Sequence, residues 1–160
     1  MIKASTLLDK QELSYLKELY INSPKQFHNQ DVNLFFIYKA GIKLNKSDLW
    51  DNIQKKLLKF HGKETAVTNY FLEYIVGSYT KNHQDNPDTV EGTAITLIEK
   101  SNDLVGGEII AGQGDNQRTL PLLVGQTMYY TSAVYHGVTK VEQGKRIVLI
   151  TWFRKDTWQR

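Results

Sequence analysis

Four side chains in this sequence of 160 residues combine into a set able to do chemistry: His83, Asp85, His136 and Arg146. Two imidazoles and one carboxylate hold a ferrous ion on one face and leave its other coordination positions open. An arginine nearby can grip a carboxylate-bearing cosubstrate through its planar fork of donors. The chain has no cysteine, so disulfides and thiolate chemistry are excluded and any metal is held by nitrogen and oxygen. Zinc accepts the same ligands.

That set constrains the backbone. His83 and Asp85, two apart, face one metal only at a strand end or turn, and Asn86-Pro87-Asp88 supplies the turn. His136 must come from a distant strand folded back over the first, where Gly137 gives the backbone room.

The elements that could position these residues fall into two groups. Asp9-Lys10-Gln11-Glu12 reads as a capped helix start, followed by Leu13, Leu16, Leu19 and Tyr20 on one stripe and ended by Asn22-Ser23-Pro24. A second helix is expected from Ser47-Asp48, with Leu49, Ile53, Leu57 and Phe60 at helical spacing and Gly62 as its stop. Between them, Leu34 to Tyr38 reads as a short buried strand with a turn at Ala40-Gly41. After Gly62 the period becomes extended, and strands are expected over Val67–Tyr74, Gly92–Ile98, Gly107–Ile110, Thr127–Tyr130, Val138–Val141 and Ile147–Phe153. Helices first and a glycine-punctuated β core second point to an α+β, mainly β fold and away from a parallel βαβ sheet. The expected organisation is one domain over 1–160, with helical support over about 1–62 and the β core over about 63–160.

Composition narrows the function classes. Hydrophobic residues make up 41% and charged residues 23%, ordinary for a globular protein, and no apolar run is long enough to span a bilayer. The first residues carry no signal-peptide pattern, so a cytoplasmic location is expected. The net charge of +3 is scattered; Lys55, Lys56 and Lys59 read as the wet face of the second helix, and a nucleic-acid surface is unsupported.

Over about Tyr74 to Phe153 the sequence resembles the iron and 2-oxoglutarate dependent dioxygenases of the prolyl 4-hydroxylase superfamily. The residues that carry this are Tyr74-x-x-Gly77 with Tyr79, then His83-x-Asp85, Gly106-Gly107-Glu108, Gly125 ahead of Tyr129-Tyr130, His136-x-Val138, Gly144-x-Arg146 and Trp152-Phe153. One departure is that Tyr79 stands four residues before His83, where the family more often has an aromatic three before. The resemblance implies a double-stranded β-helix of the jelly-roll or cupin kind, with the N-terminal helices packed on one sheet. It implies Fe(II) held by His83, Asp85 and His136, and 2-oxoglutarate held by Arg146 and Tyr74, with Trp152 lining the pocket. The implied reaction uses dioxygen to decarboxylate 2-oxoglutarate to succinate and carbon dioxide while an unactivated C–H bond is hydroxylated. A prolyl residue of a protein or peptide is the substrate implied at family level, with a small molecule as the other possibility.

Plainer roles exist for each residue. Tyr74 and Trp152 can simply pack in a β core, and Arg146 can be a strand-edge arginine in a surface ion pair. His28 and His61 have no ligand spacing, and the helix dipole accounts for His61. Two other functions fit part of the pattern: a zinc-type hydrolase, which has no need of Arg146, and a non-catalytic β-barrel binding module, which has no need of any of the four. Nucleic-acid repair dioxygenases carry a second arginine and an asparagine after the first, which Ile147 to Trp152 do not supply.

Overall fold

The computed structural model describes residues 1–28, 34–38, 42, 44 and 47–155; the expected turn at Ala40-Gly41 and the side chains of the strand over 34–38 lie outside them. Along the chain the elements are β1 (Ile2–Thr6), α1 (Lys10–Asn22), β2 (Gln26–His28), β3 (Leu34–Tyr38), α2 (Leu49–His61), β4 (Val67–Tyr74), β5 (Thr80–His83), β6 (Val90–Lys100), β7 (Ile109–Ala111), β8 (Arg118–Leu120), β9 (Gln126–Thr131), β10 (His136–Val138) and β11 (Arg146–Arg154).

Both helices form where capping chemistry places them. Asp9 accepts from the Glu12 amide while the Glu12 carboxylate accepts from the Asp9 amide, at 2.8 and 3.0 Å, closing a capping box on α1. The α2 start is capped one residue earlier than its boundary, by Ser47 Oγ accepting from the Leu49 amide at 3.1 Å. Gly62 ends α2 at φ 92°, in the left-handed region that a side chain would oppose.

Seven strands form a major sheet in the order β1-β9-β6-β11-β4-β3-β2, and four form a minor sheet in the order β5-β10-β7-β8. The alternation of β11 shows how the layers divide. Ile147, Leu149 and Phe153 point to one face of the major sheet, where Leu16, Leu19, Ile53 and Leu57 of the helices cover them. Val148 and Ile150 point to the other face and pack with Ile109 and Val138 of the minor sheet. Helices on one sheet and a second sheet on its far side make a double-stranded β-helix, mainly β with α support.

Three features depart from the sequence expectation. The N-terminal part supplies two strands besides the expected Leu34–Tyr38, because β1 pairs with β9 and β2 extends the sheet from β3. The polar stretch Thr80–His83 is a strand, held by pairing with β10. The strand expected over Val138–Val141 instead runs His136–Val138, because the amides of Thr139 and Val141 bond to Glu108 and Ser78 in connecting segments.

Candidate metal centre

Strand pairing assembles the site. In the minor sheet, His83 of β5 lies directly opposite His136 of β10, and His136 directly opposite Ala111 of β7. Gly137 makes the approach of β5 and β10 possible, since a Cβ there would stand 2.7 Å from the Thr80 carbonyl oxygen. Asp85 lies just past the end of β5, followed by a turn in which Asn86 Oδ1 accepts from the Asp88 backbone amide and the Asn86 carbonyl accepts from the amide of Val90 at the head of β6. The expected strand end followed by a turn is present.

The two imidazoles are set in one tautomer by their own backbone. His83 Nδ1 lies 2.6 Å from the Lys81 carbonyl oxygen and His136 Nδ1 lies 3.0 Å from that of Val134. Each Nδ1–H therefore donates to a carbonyl, which leaves Nε2 as the ring atom available to a metal and aims it inward. Both Nε2 atoms face the same Asp85 oxygen, Oδ1, at 3.6 Å from His83 and 3.4 Å from His136. One ligand atom from each residue lies within 4.8 Å of the others, a size that a single metal ion fills. His83 is the open side, with 44% of its side chain exposed against 8% for His136 and 6% for Asp85.

The major sheet braces the triad from the opposite layer. Tyr130, Thr93 and Trp152 are register partners across β9, β6 and β11, so they form one row on the inner face. Tyr130 packs its ring 4.2 Å from that of His136. Thr93, fully buried, donates its hydroxyl to Asp85 Oδ2 at 2.5 Å. Trp152 lines, with Tyr70 and Ile150, a cavity of about 110 Å³ that opens on the triad. Burial alone would raise the Asp85 carboxyl, but His136, His83 and Thr93 outweigh it and hold it well below the usual carboxylate range. The Asp85 carboxylate facing it raises the pKa of the His83 imidazole.

Tyr74 lines the same cavity, its hydroxyl 2.6 Å from Thr80 Oγ1. Arg146 starts β11 directly opposite Tyr74, and its guanidinium carbon lies 5.1 Å from the Tyr74 ring centre. Arg146 itself borders a second cavity of about 290 Å³, walled by Leu97, Ile109 and Leu122, so Tyr74 stands between the arginine and the triad's own pocket. Arg146 is only 3% exposed, and its Nη1 has no hydrogen-bond partner. Burial lowers its pKa. An unpartnered buried donor on a guanidinium is costly unless an anion meets it.

Sequence reasoning missed Thr93 and Tyr130. The only signal available was that Thr93 lies eight residues past Asp85 on a strand, which does not say which face it occupies. His61, assigned to the helix dipole, is instead buried against the major sheet: its ring stacks on Phe153 at 4.3 Å, and it bonds Tyr129 Oη at 2.9 Å and Glu91 at 3.2 Å. It is no ligand, since the triad lies on the other face of that sheet.

No family model matches the chain. It is 30% identical over 87 residues to a PKHD-type hydroxylase of Prochlorococcus marinus, covering 51% of this chain and 39% of that relative. The chain thus matches about two fifths of that relative's length. Among solved structures it superposes on a prolyl-4-hydroxylase of Pseudomonas putida with a TM-score of 0.71, at 16% identity, over 96% of this chain and 92% of the other. HygX of Streptomyces hygroscopicus, with nickel and 2-oxoglutarate bound, gives 0.78 at 10% identity over 99% and 84%. In fold over nearly its whole length, and in sequence over half of it, this chain is similar to the iron and 2-oxoglutarate dependent oxygenases of the prolyl 4-hydroxylase superfamily.

Proposed function

We propose that the protein is an Fe(II) and 2-oxoglutarate dependent dioxygenase. The observation that carries this reading is the pair of imidazoles with both Nδ1–H groups tied to backbone, both Nε2 atoms turned to Asp85 Oδ1, and the second carboxylate oxygen held by Thr93. Three ligands on one face suit an ion that must also take a bidentate cosubstrate and dioxygen. His83, Asp85 and His136 would hold the ion, and bound there it couples decarboxylation of 2-oxoglutarate to succinate with insertion of one oxygen atom into a substrate C–H bond.

The chain's own part is binding and orientation. The unpartnered Nη1 of Arg146 supports a role for it as the cation opposite the cosubstrate's distal carboxylate. Tyr74, in contact with Arg146 and bonded to Thr80, can turn its hydroxyl to the same carboxylate, exchanging one hydrogen bond for a charge-assisted one. Trp152 and Tyr70, ring centres 5.1 Å apart, wall the pocket and exclude water beside the metal position. A zinc hydrolase would use the triad but leave a buried guanidinium with nothing to bind.

A peptide carrying a prolyl residue is the substrate class proposed, with a free amino acid or other small molecule as the second. The test is turnover of 2-oxoglutarate with a panel of peptides and free amino acids, read by mass spectrometry. Succinate should form only with iron, dioxygen and 2-oxoglutarate together, and one panel member should gain a single oxygen atom. Product formed under nitrogen with zinc would replace this reading with a hydrolase.

A further inference from the structure

The minor sheet carries its row of opposed residues two strands beyond His136. His136 faces Ala111 of β7, and Ala111 faces Arg118 of β8. Residues directly opposite across a ladder project to the same side of the sheet. Arg118 is therefore on the inner face with the metal ligands, its backbone about 10 Å from that of His136 at the usual strand spacing. The residue between them is an alanine, buried and too small to block the way.

The layer opposite continues the same geometry. Ile2 of β1 is the register partner of Tyr130, whose ring lies against His136. Ile2, one strand out from Tyr130, and Arg118, two strands out from His136, line a common groove of about 390 Å³. Gln113, Asn116 and Tyr135 also line it, and among the described residues Arg118 is the only charged side chain that does. Arg118 is exposed and forms no ion pair among the described residues. A cation flanked by two amides, with no acid among the described lining residues, is complementary to an anion.

We infer that this groove is a substrate subsite in which Arg118 binds a carboxylate carried by the molecule to be oxidised. The inference rests on the dioxygenase reading for the identity of the neighbouring centre. It gives the two arginines separate tasks: Arg146, buried behind Tyr74, meets the cosubstrate, and Arg118, at the rim, meets the substrate. The carboxylate can come from two sources, an acidic side chain in a peptide or the α-carboxylate of a free amino acid. A guanidinium pairs with both in the same way.

Binding is measured by ligand-observed NMR on the zinc-loaded protein with 2-oxoglutarate saturating, so that Arg146 is already occupied. One arm compares acetyl-Asp-Pro-amide with acetyl-Asn-Pro-amide, and the other compares L-proline with prolinamide. In at least one arm the acid should bind about tenfold more tightly than its amide, the value of one charge-assisted contact. That ratio should collapse towards one in Arg118→Gln, invert in Arg118→Glu and persist in part in Arg118→Lys. Which arm discriminates identifies the source. An acid-to-amide ratio near one in both arms, or a ratio that Arg118→Gln leaves unchanged, overturns the inference. Iron-dependent binding of 2-oxoglutarate, measured anaerobically on the same preparations, keeps the two readings apart. Its absence removes the dioxygenase reading, whereas a flat ratio with 2-oxoglutarate binding intact removes only the role of Arg118.

Discussion

Thr93 Oγ1 donates to Asp85 Oδ2 while Asp85 Oδ1 faces the imidazoles of His83 and His136, so in the proposed metal site one hydroxyl from the opposite sheet decides which carboxylate oxygen is left for the ion. Such outer partners typically contribute ten- to hundredfold in metal affinity. Thr93→Val keeps the shape and removes the donor, and should weaken Fe(II) binding by about that factor while the fold persists. Thr93→Ser restores the hydroxyl and should recover most of the loss. Anaerobic titration of the three proteins decides it, and equal affinities would remove Thr93 from the site.

His83 and His136 should part company in stability though not in metal binding. Either alanine variant opens the triad and should abolish or severely weaken Fe(II) binding. His83 is 44% exposed, so its removal should change folding stability by no more than about 0.5 kcal/mol. His136 is buried against Tyr130, and its loss should cost about 1 to 3 kcal/mol. Urea unfolding of the metal-free variants tests the difference.

Arg146 is held at a cost when nothing meets its Nη1. Arg146→Met fills similar volume without a charge, so the metal-free, cosubstrate-free protein should be more stable than wild type by about 1 to 3 kcal/mol. The variant should also lose any rise in unfolding temperature that 2-oxoglutarate gives the wild type. Arg146→Lys retains charge but not the fork, and should bind 2-oxoglutarate about ten- to hundredfold more weakly with Fe(II) affinity nearly unchanged. A wild-type 2-oxoglutarate affinity in Arg146→Lys would show that the contact is not bidentate.

The buried His61 gives stability a pH dependence. Burial lowers its pKa in the folded protein, and outweighs the opposing pull of Glu91. With Nδ1 accepting from Tyr129 Oη and Nε2–H donating to Glu91, the neutral ring satisfies both partners. Between the lowered folded pKa and the unfolded value near 6.5, the unfolded chain binds more protons, so stability rises with pH there. The contribution is complete above about pH 6.5 and is lost as pH falls through the folded value. Chemical denaturation from pH 7.5 down to 5 should show this slope, and His61→Gln should flatten it. An unchanged slope in the variant would assign it to other groups.

The sequence by itself determined whatever depends on neighbours along the chain. Asp9 and Glu12 declare a helix start, Gly62 declares a helix end, and His83-x-Asp85 before Asn86-Pro87-Asp88 declares a strand end followed by a turn. The apolar run Ile147 to Phe153 declared a strand, and the ordered match from Tyr74 to Trp152 indicated the fold. Tertiary structure alone decided what depends on register between distant strands. Polar Thr80–His83 becomes a strand because β10 pairs with it, and Ile2–Thr6 becomes one because β9 offers an edge. Thr93 reaches Asp85, Tyr130 reaches His136, and Arg118 joins the face that carries His136 only because ladders align them. A shift of one residue in any of those pairings would turn each side chain to the opposite face. That alignment is fixed by hydrogen bonds between segments as far apart in the chain as Ile2 and Tyr130, which no local pattern of side chains encodes.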